Sequence, residues 1–384
     1  MDDESKIRRY FETMTFPKSE PETLIELIKD VKAKSTDVQG LIRDYFDSLV
    51  DFFTRHRNAS WFFVPSVDKS FSYEAGGVDG SFFPIESFAG NWYIPFSIAM
   101  IHCKSLVSPV SFDIVVKGGS EFLATAPRVT VGTSKTAGLI DKVPQEVAKK
   151  ASELMFYGEV NAIKQVSKKM QENSYLFIDG PIIDPPTGGE PNYISQRCEA
   201  IKFALRRGIS VIGVVKRIRD RYIGPAIFEK LFHNLQNPII NKLSKSGDQA
   251  LLAPLLSIYR RDRREYQKTL ASDWVPLETN EADKYKANEI KVIAGILQRE
   301  LDTFPIRIEV AINAKDISFE TKWKEAVGAV SAWTYPGQSI PFPVMLAHTK
   351  CAVTQDLATV LHNEFLTRIH SQDSEYQLLL RTIT

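Results

Sequence analysis

Cysteine is scarce. Cys103, Cys198 and Cys351 are the three in 384 residues, far apart and without CxxC spacing. That excludes a disulfide framework and a zinc ribbon, and points to a reducing compartment, the cytoplasm. Long apolar runs are missing as well. No stretch reaches the roughly 18 uncharged apolar residues of a membrane span. The N-terminus, MDDESKIRRYFE, is charged from residue 2, which argues against a secretory leader. Charge of one sign is also lacking: 48 Lys+Arg against 47 Asp+Glu leave a net charge of +1. Any surface for nucleic acid must therefore come from local clustering and not from a high pI. GxxxxGK(S/T), HExxH and GxSxG are absent, and Gly76-Gly77 and Gly188-Gly189 do not form a dinucleotide fingerprint.

What is present is globular chemistry. A chain 43% hydrophobic and 25% charged is neither disordered nor fibrous, and its length suits one large domain or two ordinary ones. Residues 21–56 read as two helices, with Leu24, Leu27, Ile28, Val31, Leu41, Ile42, Tyr45 and Leu49 at helical spacing and a break near Ser35–Gly40. Residues 1–60 are thus expected as a helical region for packing, dimerisation or partner docking. Strands follow at 73–83, 91–103 and 111–116, rich in aromatic and β-branched residues and punctuated by Gly and Pro. A helix over 144–172 leads to the apolar run YLFID at 175–179, a helix near 195–207 and a second apolar run, SVIGVV, at 210–215. Strand, helix, strand at this spacing predicts a parallel crossover. Beyond Lys216 the pattern is helical to about residue 267 and then irregular, so 222–303 is expected as a helical insertion. A strand at 307–312 and a helix from 346 onward complete the reading. The fold class is α/β: a mixed sheet, antiparallel strands then parallel ones, flanked by helices.

Two acids share a context: Asp79 in VDGS and Asp179 in FIDGP, each on a strand and each followed by Gly. Acids there stand where the backbone turns and exposes them, at the strand ends where α/β sheets gather their sites. An Asx turn is the plainer job for Asp-Gly. The helix before the second strand adds Glu153 and Glu159. Glu159, between Gly158 and Val160, is expected to face inward, with Glu153 as its alternative. Converging carboxylates favour hard cations such as Mn²⁺ or Mg²⁺, and two ions could serve phosphodiester cleavage. Basic residues adjoin: Lys202, Arg206, Arg207, Lys216, Arg217, Arg219 and Arg221, then Arg260, Arg261, Arg263 and Arg264. They are expected to contact phosphates along a nucleic-acid strand, against the plainer reading of a solvated helix face. His348, in PFPVMLAHTKC, is placed by a proline-punctuated turn and suits leaving-group or metal chemistry.

In order and spacing, VDGS at 78–81, the acid-bearing helix, FIDGP at 177–181, VIGVVKR at 211–217 and LAHTKCAV at 346–353 resemble the NurA family of DNA repair nucleases. The resemblance implies a ribonuclease-H-like nuclease domain over 61–384 with Mn²⁺-dependent 5′–3′ exonuclease and single-strand endonuclease action. It also implies a homodimer working with the hexameric ATPase HerA in DNA end resection. Carried over, it makes Asp79, Glu159 and Asp179 metal ligands, with His348 and Lys216 beside them. Two departures stand out: Pro181 follows the second Asp-Gly where the family often has Ser or Thr, and no tyrosine precedes His348 in the run Ile340–Pro343. Two other functions fit the residues: a non-catalytic adaptor of a DNA motor, offering aromatics such as Phe52, Phe53, Trp61, Phe62 and Phe63, and a metal-dependent phosphatase or nucleotidase.

Overall fold

The computed structural model describes residues 61–65, 74–87, 91–104, 111–124, 143–183, 191–216, 218 and 248–370, with isolated positions between 29 and 47 and at 226. The expected N-terminal helix pair and its dimer or docking role fall almost entirely outside these residues. So do Phe52, Phe53, Arg217, Arg219 and Arg221.

One large mixed sheet organises the chain. A short strand, β1 (Trp61–Phe63), precedes β2 (Ala75–Phe82), β3 (Ile85–Glu86), β4 (Asn91–Cys103) and β5 (Phe112–Ala124). Helix α1 (Gln145–Lys169), β6 (Tyr175–Asp179), α2 (Pro191–Arg206) and β7 (Ser210–Val215) form the predicted crossover. Then come α3 (Asp248–Arg263), β8 (Leu270–Ser272), β9 (Val275–Pro276), α4 (Asn280–Ala287), β10 (Ile290–Gln298) and β11 (Ile306–Asn313). Helices α5 (Phe319–Trp333), α6 (Phe342–Cys351) and α7 (Gln355–His370) close the described chain.

The sheet runs β1-β8-β10-β11-β7-β6-β2-β4-β3, with β5 on the outer side of β4 and β9 on β10. Strands β2, β6 and β7 are parallel, and every other pairing is antiparallel. Antiparallel strands followed by parallel ones is the predicted arrangement. Helices cover both faces. On one, Val160, Ile163 and Val166 of α1 and Ala200, Ile201 and Ala204 of α2 pack on Leu176, Ile178 and Val211. On the other, Trp323, Val327, Val330 and Trp333 of α5 and Val344 and Ala347 of α6 pack on Phe177, Ile212, Val214 and Val310. Strand alternation sends neighbouring residues of YLFID and SVIGVV to opposite cores, so both runs are apolar throughout.

Three expectations are corrected. Strand β5 runs to Ala124, eight residues past the predicted end, because all thirteen residues of β4 pair with it, through Gly118 and Gly119. Within 222–303, α3 is helical as expected, but 270–298 adds strands to the sheet, including the nine-residue β10. Tertiary pairing with β11 gives β10 its structure. The final helix is two, broken between Cys351 and Gln355, and His348 lies within the first of them.

A candidate metal centre at the sheet rim

The parallel register places the acids. Val78 pairs with Ile178, so the next residues, Asp79 and Asp179, stand side by side at the rim where β6 ends, while β2 runs on along β4 to Phe82. Both project to the face covered by α6, which Gly77 and Phe177 share two residues earlier. The close seat of that helix depends on Gly77: a Cβ there would come within 2.3 Å of the Pro343 carbonyl oxygen. Helix α6 can therefore lie directly on β2, and His348, one turn further on, reaches both acids. Its Nδ1 is 2.8 Å from Asp79 Oδ2 and 3.1 Å from Asp179 Oδ2. Cys351, i+3 from His348, donates its thiol to Asp79 Oδ2 at 3.3 Å. Lys216, two residues beyond Val214 on β7, donates to Asp179 Oδ2 at 2.5 Å.

The chain leaves the rim sharply. Gly180 takes φ +116, a conformation costly for any side chain, and its N–H bonds the Val214 carbonyl. The following loop is held from beneath by buried charge. Glu309 of β11 accepts from the Ile182 N–H at 2.8 Å and pairs with Arg307 at 3.0 Å. Arg197 of α2 donates to the carbonyls of Pro181 and Ile182. Sequence reading assigned nothing to Glu309, Arg197 or Cys351. Usable signals were the charged pair inside the apolar run IRIEVAI, and a cysteine one helical turn after the histidine.

Glu159 faces inward, as expected of it over Glu153, which pairs with Lys149 on the helix surface. It approaches from the α1 side: a Cβ on Gly80 would sit 3.0 Å from its Oε1. Its other oxygen lies 3.6 Å from Arg197 Nη1. The atoms that converge within 4.8 Å are those of Asp79, Asp179 and His348, and Glu159 stands outside that group.

Electrostatics at the rim favour a cation. Burial, then the neighbouring charge of Asp179, lifts the Asp79 carboxyl to about 6, against the pull of His348 and Cys351. Burial, Asp79, Asp179 and Glu159 together hold the Cys351 thiol well above its usual range. Two carboxylates and an imidazole that repel added negative charge form a donor set for Mn²⁺ or Mg²⁺.

The basic residues separate. Lys216 is at the rim. Arg207 donates to the carbonyls of Ser167 and Met170 at the C-terminal end of α1, a helix-end contact away from the rim. Arg260 is fully buried, its guanidinium bonding the carbonyls of Glu265, Tyr266, Lys268 and Gln298. It braces the turn after α3 and cannot meet DNA. Arg261 and Arg206 are exposed, Arg206 at the end of α2 remote from the rim.

Fold and rim together define an α/β protein with an acidic, metal-binding type of site at the ends of its parallel strands. The NurA domain family matches residues 74–345, and the chain belongs to that family. It is similar in fold to the crystal structure of the NurA nuclease from Sulfolobus solfataricus, with a TM-score of 0.55 and 12% identity, covering 91% of this chain and 98% of that one. The catalytic domain of human Endonuclease V aligns over 82% of this chain and 94% of its own at 14% identity. Its TM-score is 0.28. No curated protein matches the chain. No helix among the described residues is long and apolar enough to cross a membrane.

Proposed function

We propose that the protein is a metal-dependent deoxyribonuclease that hydrolyses phosphodiester bonds at the rim formed by Asp79, Asp179 and His348. The observation that carries this reading is the adjacency of two carboxylates on neighbouring parallel strands with an imidazole bridging them. Membership of the NurA family, and a fold shared with a protein described as a nuclease, support it. Asp79 and Asp179 would hold Mn²⁺ or Mg²⁺, His348 would complete the set, and Glu159 would reach a second ion from the α1 side. An ion bound there supplies Lewis-acid stabilisation of phosphoryl oxygens and a water acidic enough to attack phosphorus near neutral pH.

The protein's own groups do the rest. Lys216 holds the Asp179 carboxylate in place and offers positive charge to the scissile phosphate. His348, well exposed on its outer side, would present the N–H of its other ring nitrogen as a hydrogen-bond donor to the leaving oxygen. Cys351 and the Gly80 N–H fix the Asp79 carboxylate, each on a different oxygen.

The finer reading follows the resemblance: Mn²⁺ as the ion, 5′–3′ exonuclease and single-strand endonuclease action, a homodimer, and work with a HerA-like hexameric ATPase in end resection. An exposed apolar strip supports the dimer. Phe112, Ile114 and Val116 of β5, paired only with β4 among the described residues, lie on the face that α7 also covers. Leu357, Val360 and Leu361 of α7 are exposed as well. The adaptor reading loses part of its motive, since Trp61 is buried and Phe63 stacks on Tyr259. Calorimetric titration with Mn²⁺, paired with cleavage of end-labelled linear DNA, tests the proposal. Uptake of the ion and EDTA-sensitive cleavage are expected. A folded chain that takes up no Mn²⁺, or that hydrolyses nucleotides but not DNA, overturns it.

A further inference from the structure

The outer surface of α1 and α2 carries a groove of about 390 Å³ lined by Lys164, Lys168, Glu199, Lys202, Phe203 and Arg206. Four of the six are cationic and one is acidic. Lys164 and Lys168 are one row, four residues apart on α1, and Lys202 and Arg206 are a second row at the same spacing on α2. Four helical residues span about 6 Å, so the rows present paired charges on either side of the groove. Between them, half-buried Phe203 has the Arg207 guanidinium 5.9 Å above its ring. Lys202, 18% exposed, also lies 3.8 Å from the more exposed Glu289, an ion pair long enough to leave its ammonium available to a second anion.

This groove is separate from the rim. Lys168 is nine residues past Glu159 on α1, about 13 Å along the axis and about half a turn around it. Glu159 looks inward at Gly80, whereas Lys168 is exposed on the outer surface. A core-packing role does not account for the rows, because Val160, Ile163 and Val166 already supply the inward face of α1. Like charges brought together on two packed helices repel one another, and a polyanion removes that cost.

The geometry points to this groove as a second, non-catalytic site that takes the phosphodiester backbone of a nucleic-acid strand. It rests on the reading of the protein as a DNA-acting enzyme and adds to it a place where a strand is held while another part of it occupies the rim. Lysines and an arginine contact phosphates without reading bases, so the site is sequence-independent.

The test is the triple variant K164Q/K168Q/K202Q, which removes three charges and leaves Arg206, Arg207 and the rim intact. Fluorescence anisotropy with a labelled single-stranded oligodeoxynucleotide in EDTA reads binding without cleavage. We expect affinity to fall at least about tenfold at low salt, and the slope of log K against log salt to shallow by about 2, near 0.7 per lost phosphate contact. Turnover of bis(4-nitrophenyl) phosphate, too small to span rim and groove, should stay at the wild-type level. Wild-type affinity and slope in the triple variant overturn the site and leave the nuclease reading standing. A wild-type protein that binds the strand through this groove but cleaves no DNA overturns the nuclease reading alone. Equal binding of poly-glutamate, lost in the same variant, would make the groove a dock for an acidic protein segment and sink the proposal. Should the triple variant melt early, K168Q at its exposed position is expected to shallow the slope by about 0.7; no change there overturns the site equally.

Discussion

Asp79 and Arg260 are both buried ionic groups, and they are opposites in how their surroundings answer them. Around Arg260 every guanidinium nitrogen has an acceptor: Gln298 takes Nε and Nη2, and three further carbonyls take Nη1. Burial lowers its pKa only to about 10, so it stays charged and holds the turn between α3 and β8. Asp79 instead faces a second carboxylate, and its pKa rises to about 6. One charge is finished by the fold. The other is left with a neighbouring negative charge that a cation would answer, and that difference separates a brace from the proposed reaction centre.

Removing either rim acid should have the largest effect. Asp79→Ala or Asp179→Ala is expected to lower Mn²⁺-dependent DNA cleavage by at least ~10³-fold, the upper range for losing one transition-state contact. Circular dichroism should show a chain folded as before, and wild-type-like cleavage by either would break the contrast. Arg260→Ala should do the reverse. It leaves several buried acceptors without a donor, and a loss of about 3 kcal/mol in urea unfolding is expected, with specific activity of the folded fraction unchanged. His348→Gln keeps the polarity but would lose the proposed ligand nitrogen and the ring N–H beyond it. We expect cleavage ~10–100-fold slower and Mn²⁺ affinity lower.

The smallest effect is on pH dependence, and its sign sharpens the comparison. Between 3.8 and about 6 the folded chain retains the Asp79 proton that an unfolded chain has lost. Metal-free stability should therefore fall as pH rises through that window, by on the order of 3 kcal/mol. Thermal melts of Asp79→Asn should lack this component. Added Mn²⁺ should restore the wild type above pH 6, because ion binding favours the deprotonated carboxylate. A wild-type curve that rises across the window would show that Asp79 is already compensated within the fold.

Much of this was legible before any coordinates. Apolar runs with both faces buried, such as YLFID and SVIGVV, announce central parallel strands, and Asp-Gly after such a run marks a rim. Strand β10 was not legible. Its residues, IKVIAGILQ, follow a polar helix closely and gain their strand form from pairing with β11. Arg260 illustrates the same limit in the site. A run of arginines reads as a solvated or phosphate-binding face, and nothing local shows that one member turns inward to five acceptors. Glu309 is the converse case, a charge in an apolar strand that pairs with its neighbour Arg307 but also accepts from Ile182, more than a hundred residues earlier.

What the sequence determined alone is the local chemistry: which segments alternate, and that two acids on strands are each followed by a glycine, of which Gly180 turns the chain while Gly80 continues β2 to Phe82. Only the tertiary structure decided which of them meet. The parallel register of β2 and β6 sets Asp79 beside Asp179, the bare Cα of Gly77 lets α6 close over them, and Arg197 draws Glu159 to the other face. Periodicity and turn propensity act over a few residues. The Coulomb and packing forces that join these side chains depend on separation in space, which local sequence pattern does not specify.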